Sequence, residues 1–149
     1  MAKKGNNNNQ TVGNIGLFYV CYRLSRLGWN VMPTTRNARG IDILIYSQDA
    51  SRTQTIQVKS LSAKSTVPLG SKLDHLFSNF VVVCRFVLKD TPECFVLTPE
   101  EVQKLAFRTE KNGKISFWLP IAEYERQEFR DHWARIGSGL PTSTISSHI

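Results

Sequence analysis

The first 41 residues contain no aspartate or glutamate, and no part of the chain holds a long apolar run. The longest, Phe80 to Leu88, is cut by Arg85 and falls far short of the roughly 20 residues a membrane-crossing helix needs. Cysteine is scarce. Cys21, Cys84 and Cys94 are scattered without a CxxC spacing, which excludes a disulfide framework or a structural zinc site and fits reduced thiols. Histidine is equally sparse: His75, His132 and His148 stand at no metal-ligand spacing. Glycine-rich phosphate loops are missing too, since GNIG at 13–16 has neither the Walker spacing nor a strand before it. After Met1 the chain reads AKKGNNNNQ, with no apolar secretory segment. The expectation is a cytoplasmic protein with no membrane partner.

What is present begins with charge. The chain has 149 residues, the length of one ordinary domain, with 41% apolar and 21% charged residues, which excludes wholesale disorder. Its net charge is +7 and its pI about 9.6. Residues 1–72 hold ten Lys and Arg against two acids, Asp42 and Asp49, a balance of +8. Residues 73–149 hold nine basic and ten acidic groups, a balance of −1. A positive field confined to one half of a chain attracts polyanions, and DNA is the expected partner.

Residues 1–10, an asparagine run beside Lys and Gly, predict a flexible tail. From Thr11, the spacing of Leu17, Val20, Cys21, Leu24 and Leu27 predicts a helix with one apolar face, stopped by Gly28. Trp29 to Met32 predicts a short strand and TTRNARG (34–40) a basic loop. Ile41 to Tyr46 predicts a strand, SQDAS a hairpin turn, and Thr53 to Ser60 the returning strand, where Gln57 and Lys59 share a face. A loop over 61–71 and a short helix near Leu73 to Ser78 follow. Phe80 to Val87 reads as a strand buried on both faces. Cys94 to Leu97 predicts another strand, and Thr98, Pro99 and Glu101 form a capping box that opens a helix. After a turn at 111–114, Ile115 to Leu119 predicts a strand, and a last helix runs from Pro120 to Gly137. Phe129, Trp133 and Ile136 form its buried stripe, and 138–149 is a second tail. Trp29, Trp118 and Trp133 are all expected in the core. Residues 11–137 thus predict a single α/β domain, a central mixed sheet flanked by helices.

Chemistry concentrates at two neighbouring strands. Asp42 follows Gly40-Ile41 at the head of one, and Gln57-Val58-Lys59 lies on its hairpin partner. Phosphodiester hydrolysis suits such a cluster: a carboxylate holds a divalent metal that polarises the phosphate and lowers the pKa of an attacking water. A lysine can position that water or stabilise developing charge, and the residue two before it supplies a second oxygen. Arg36 and Arg39, and farther on Lys64, are candidate phosphate contacts. A plainer alternative makes Asp42 a polar strand end and Lys59 its ion-pair partner.

Helix, strand, basic loop, G-x-D strand, hairpin and Q-x-K strand, over residues 11–60, resemble the PD-(D/E)xK nucleases. That restriction-endonuclease-like superfamily includes Holliday-junction-resolvase-like and Mrr-like members in which Gln replaces the usual acid. The resemblance implies a restriction-endonuclease-like fold and a Mg²⁺- or Mn²⁺-dependent deoxyribonuclease acting as an endonuclease on DNA. It implies that Asp42, Gln57 and the Val58 carbonyl hold the metal, that Lys59 is the catalytic lysine, and that a homodimer is one assembly to expect. Two positions depart from the pattern: Ile41 replaces a common Pro, and Leu17 stands where many members carry a helix Glu. The alternative is therefore a catalytically inactive nuclease fold that binds DNA or a protein partner. A basic α/β interaction domain without nucleic-acid function is the third reading.

Overall fold

The computed structural model describes residues 4–35 and 40–141, with side chains from Asn9 onward. Helix α1 spans Lys4–Arg26. It starts well before Thr11, so residues 4–10 are helical where the composition predicts a tail. Once Val12, Val20 and Leu24 are anchored in the core, each further residue adds a backbone hydrogen bond without a new nucleation penalty. The helix ends as predicted at Gly28, whose φ is +91°. Gly28 N–H donates to Ser25 O and Trp29 N–H to Leu24 O, the paired bonds of a Schellman motif.

Strands β1 (Asn30–Pro33), β2 (Ile43–Tyr46) and β3 (Thr53–Ser60) form an antiparallel meander. The chain then passes through β4 (Val67–Gly70) to β5 (Phe80–Arg85), which pairs parallel to β3, and β6 (Glu93–Leu97) returns antiparallel. The result is a mixed five-stranded sheet of order β1-β2-β3-β5-β6. One face buries Ile43, Ile45, Ile56, Val82 and Val96 against α1, Trp133 and Ile136. The other buries Val81, Val83, Phe95 and Leu97 under Val102, Leu119, Tyr124 and Phe129. Two covered faces explain why β5 reads as a continuous apolar run.

The second cover is itself part sheet. Helix α2 (Pro99–Leu105) carries the predicted capping box, with Glu101 N–H donating to Thr98 Oγ1 and the Glu101 carboxylate accepting from Thr98 N–H. Strands β7 (Phe107–Lys111) and β8 (Lys114–Leu119) form a hairpin through Asn112 and Gly113, both with positive φ. With β4 they make a three-stranded sheet, order β4-β8-β7. Neither β4 nor β7 is predicted. β4 buries Val67 and Leu69 in alternation but is only four residues long and carries a proline and a glycine, and β7 is exposed throughout, so neither gives a strand signal in the sequence.

The helix predicted over 120–136 is corrected. Helix α3 covers only Ile121–Tyr124, and a 3-10 turn spans Trp133–Arg135. Phe129, Trp133 and Ile136 are buried as expected, but Phe129 joins one core cluster and the other two the opposite one. Between them the chain runs beside the open edge of β6: Val96 N–H donates to Phe129 O and Asp131 N–H to Cys94 O. Pairing an edge strand outweighs the helical pattern here. The predicted short helix near Leu73 is likewise a turn. Residues 138–141, predicted as tail, are tied down, with Arg52 donating to Ser138 O and Leu140 O and Gly139 N–H to Leu27 O.

Candidate functional site

Asp42 stands one residue ahead of β2, and its backbone is fixed from both sides. Its N–H donates to Ile56 O at 2.9 Å, and its carbonyl accepts from Thr34 N–H at 2.9 Å. Because Ile43 is the residue paired with Ile56, residues 42 and 43 both read against residue 56. That two-to-one count is the count of a β-bulge, which re-aims a side chain where pairing ends. Beyond Ile56, β3 has no β2 partner. The Asp42 carboxylate turns onto this open edge, and Oδ2 accepts from Val58 N–H at 2.7 Å. In an extended strand a residue's N–H and C=O lie on the same edge, so the Val58 carbonyl faces that side too.

Lys59 follows on the same strand end, half-buried. Burial pulls its pKa below the ordinary lysine value, and the negative charge of Asp42 pulls the other way. Among the described residues no hydrogen bond or ion pair engages its ammonium. Gln57 is 7% exposed, and among the described residues its Oε1 has no hydrogen-bond partner. A buried amide oxygen left unpaired costs about 1–3 kcal/mol, so a ligand that pairs it is favoured. Asp42 and Lys59 therefore share one electrostatic field, whereas Gln57, on the same strand as Lys59, lines neither of the cavities they open onto and is not bonded to Asp42.

Two adjoining cavities open here, sharing Val58 and Ser60. The smaller, about 260 Å³, is lined by Asp42 and, from α1, by Gly13, Asn14 and Leu17. The larger, about 530 Å³, holds Lys59 and extends to β4 and Trp118. Helix α1 approaches β3 closely at one point. A Cβ on Gly16 would lie 1.9 Å from Ser60 Oγ and 2.7 Å from Ser60 Cβ. Glycine at 16 is thus what lets α1 form a wall of both cavities, and it places Leu17, the position of the expected helix acid, over Asp42.

Arg36 and Arg39 lie outside the described residues. Lys64 is ion-paired with Glu125 at 3.3 Å, on a network in which buried Arg85 also binds Glu125 and Glu93. Asp42 is the one acid on either cavity among the described residues, and no three of His, Cys, Asp and Glu gather there. The oxygens available are hard donors of the class magnesium and manganese take, with a single negative charge among them. Sequence reasoning missed Trp118, which is half-buried and lines the larger cavity, whereas Trp29 and Trp133 are buried as expected. The signal was the alternation along β8, where Phe117 and Leu119 turn to the core and Trp118 turns away.

The fold and site together define a mixed α/β protein with a carboxylate–lysine pair at the open end of a central strand. Comparison with family models, curated proteins and solved structures found no match.

Proposed function

We propose that this chain is a metal-dependent DNA phosphodiesterase, endonuclease-like, built on a restriction-endonuclease-like fold. The observation that carries the reading is the Asp42 carboxylate, held by Val58 N–H on one cavity, within electrostatic reach of Lys59, which lines the adjoining cavity with no hydrogen-bond or ion-pair partner among the described residues. A bound Mg²⁺ or Mn²⁺ supplies Lewis acidity toward the phosphate and lowers the pKa of water. Asp42, the Gln57 amide oxygen and the Val58 carbonyl would hold it. Burial keeps Lys59 poorly solvated, so its ammonium gains most from a phosphate oxygen or a nucleophilic water placed beside it. The Val58 N–H orients the Asp42 carboxylate through Oδ2, and Oδ1 would be the oxygen offered to the metal. The basic first half of the chain supplies a field that draws DNA toward this site.

Supercoiled plasmid and branched DNA, incubated with Mg²⁺ and separately with Mn²⁺, test the reading. Cleavage that requires metal and disappears in Lys59→Ala is expected. A second reading has its own observation: Leu17 stands over Asp42 where a second acid would complete the metal site. In that case the protein binds DNA without cutting it. Wild-type protein that leaves every substrate intact with both metals, yet binds DNA with an affinity that falls steeply as salt rises, selects it.

A further inference from the structure

We infer that the larger cavity is a nucleotide subsite, seating the sugar and base next to the scissile phosphate against Trp118, with hydroxyls of the β3–β4 connection as phosphate partners. The inference rests on the phosphodiesterase reading for its substrate, while its test needs no turnover. The volume, about 530 Å³, is that of sites that enclose small molecules. The lining is two-sided. Trp118 and Pro68 face each other across the β4–β8 pair and give an apolar wall. Ser62, Ser65 and Thr66 give a polar one, and among the described residues their hydroxyls have no protein hydrogen-bond partner. The two cavities meet at Val58 and Ser60, which flank Lys59 in the chain, so a phosphate at that junction would have its nucleoside beside Trp118.

The wall is also held in place before a ligand arrives. The Trp118 indole N–H donates to Thr109 Oγ1 at 2.9 Å, which fixes the ring plane. The β3–β4 connection is pinned where Tyr124 O–H donates to Ser65 O at 2.8 Å and Lys64 pairs with Glu125. Preorganised walls of this kind lose little entropy on binding. An aromatic face with hydroxyl donors reads any base, because every base has a π-face and none of these groups is set to read a base edge.

Fluorescence provides the test, since Trp29 and Trp133 are buried and Trp118 is the tryptophan a ligand can reach. Full-length protein in EDTA is titrated with thymidine 5′-monophosphate, and separately with thymidine and with inorganic phosphate. Binding of a labelled (dT)8 oligonucleotide is measured by anisotropy for wild type, Trp118→Leu and Trp118→Phe. The expected result is saturable quenching by the nucleotide, weaker with either half. Trp118→Leu should weaken oligonucleotide binding roughly 5- to 150-fold, the worth of one stacked base, with partial recovery in Trp118→Phe. Measurable oligonucleotide binding that is equal in all three proteins overturns the subsite and leaves the phosphodiesterase reading standing. Quenching by phosphate alone as strong as by the nucleotide overturns stacking. Nucleotide quenching in a protein that neither binds nor cuts DNA supports the subsite and refutes the phosphodiesterase reading.

Discussion

Two glycines on one face of α1 should respond to the same substitution with opposite sign. Gly13 and Gly16 both lie inside the helix, where alanine is favoured over glycine by about 1 kcal/mol. A Cβ at Gly13 meets nothing within 4 Å, so Gly13→Ala should gain most of that amount. At Gly16 the new carbon would fall 2.7 Å from Ser60 Cβ, and no rotation of the Ser60 side chain moves that atom. The helix must back away from β3, at the roughly 1–3 kcal/mol typical of overpacking. The two variants should therefore differ by about 1–3 kcal/mol, or about 2–12 °C in Tm for a domain of this size. Thermal melts and urea titrations of both variants measure this. Ser60→Gly in the Gly16→Ala background should restore much of the loss, because it removes the atom in the way. Melting temperatures for Gly13→Ala and Gly16→Ala that agree within a degree would refute the close approach of α1 to β3, and with it the shared wall of the two cavities.

Leu17→Glu puts a second carboxylate over the Asp42 cavity and should raise Mn²⁺ affinity at least tenfold, about 1.4 kcal/mol, by titration calorimetry. Unchanged affinity would count against the placement of Leu17. Acid should unfold the protein partly through Glu101. Burial works against its carboxylate, but Arg135 at 2.7 Å and the Thr98 N–H outweigh it and hold the pKa below 4.5. A depressed folded pKa contributes stability above pH 4.5 that is lost as pH falls through the folded value. Urea midpoints from pH 6 to pH 3 should fall less steeply in Arg135→Gln, and identical slopes would remove Glu101 from the explanation.

Local signals in the sequence carried far. The α1 stripe, its Gly28 stop, the β2–β3 hairpin and the Thr98 capping box are each fixed by residues within a few positions of one another, and each stands where predicted. Long-range pairing carried less. Phe129, Trp133 and Ile136 have helical spacing, yet the open edge of β6 takes the backbone between them. The strand β4 alternates over only two apolar residues, Val67 and Leu69, with a proline and a glycine between and after them, and forms because β8 offers it an edge. At the site, the hairpin register brings the Asp42 carboxylate against Val58 N–H and within electrostatic reach of Lys59, while the two residues line separate, adjoining cavities. That Asp42 departs from strict alternation depends on an amide of residue 42 meeting the carbonyl of residue 56, which no local pattern encodes. Trp118 was missed because an aromatic in a short strand was assigned to the core without asking which face its neighbours take.

The charge asymmetry acquires a structural meaning from the ion pairs. Acids of the second half are taken up by cations of that same half: Glu93 by Arg85 and Arg130, Glu101 by Arg135, Glu110 by Arg108, and Glu123 and Glu128 by Arg126. Among the described cations of residues 1–72, Lys64 alone has an ion pair. Arg23, Arg26 and Arg52 lie over the rings of Trp133, Tyr22 and Trp29, contacts that leave their charge un-neutralised. Among the described residues the two cavities are lined from α1, Asp42, β3, the β3–β4 connection and β4, all of this same half, with Trp118 the only contribution from beyond it. Those three arginines line neither cavity, so the uncompensated charge acts as a general field, one suited to a polyanion that brings its own negative charge to a site with one carboxylate. Phosphate oxygens of a bound strand would then complete what Asp42 begins, and metal should bind more tightly in the presence of DNA than in its absence.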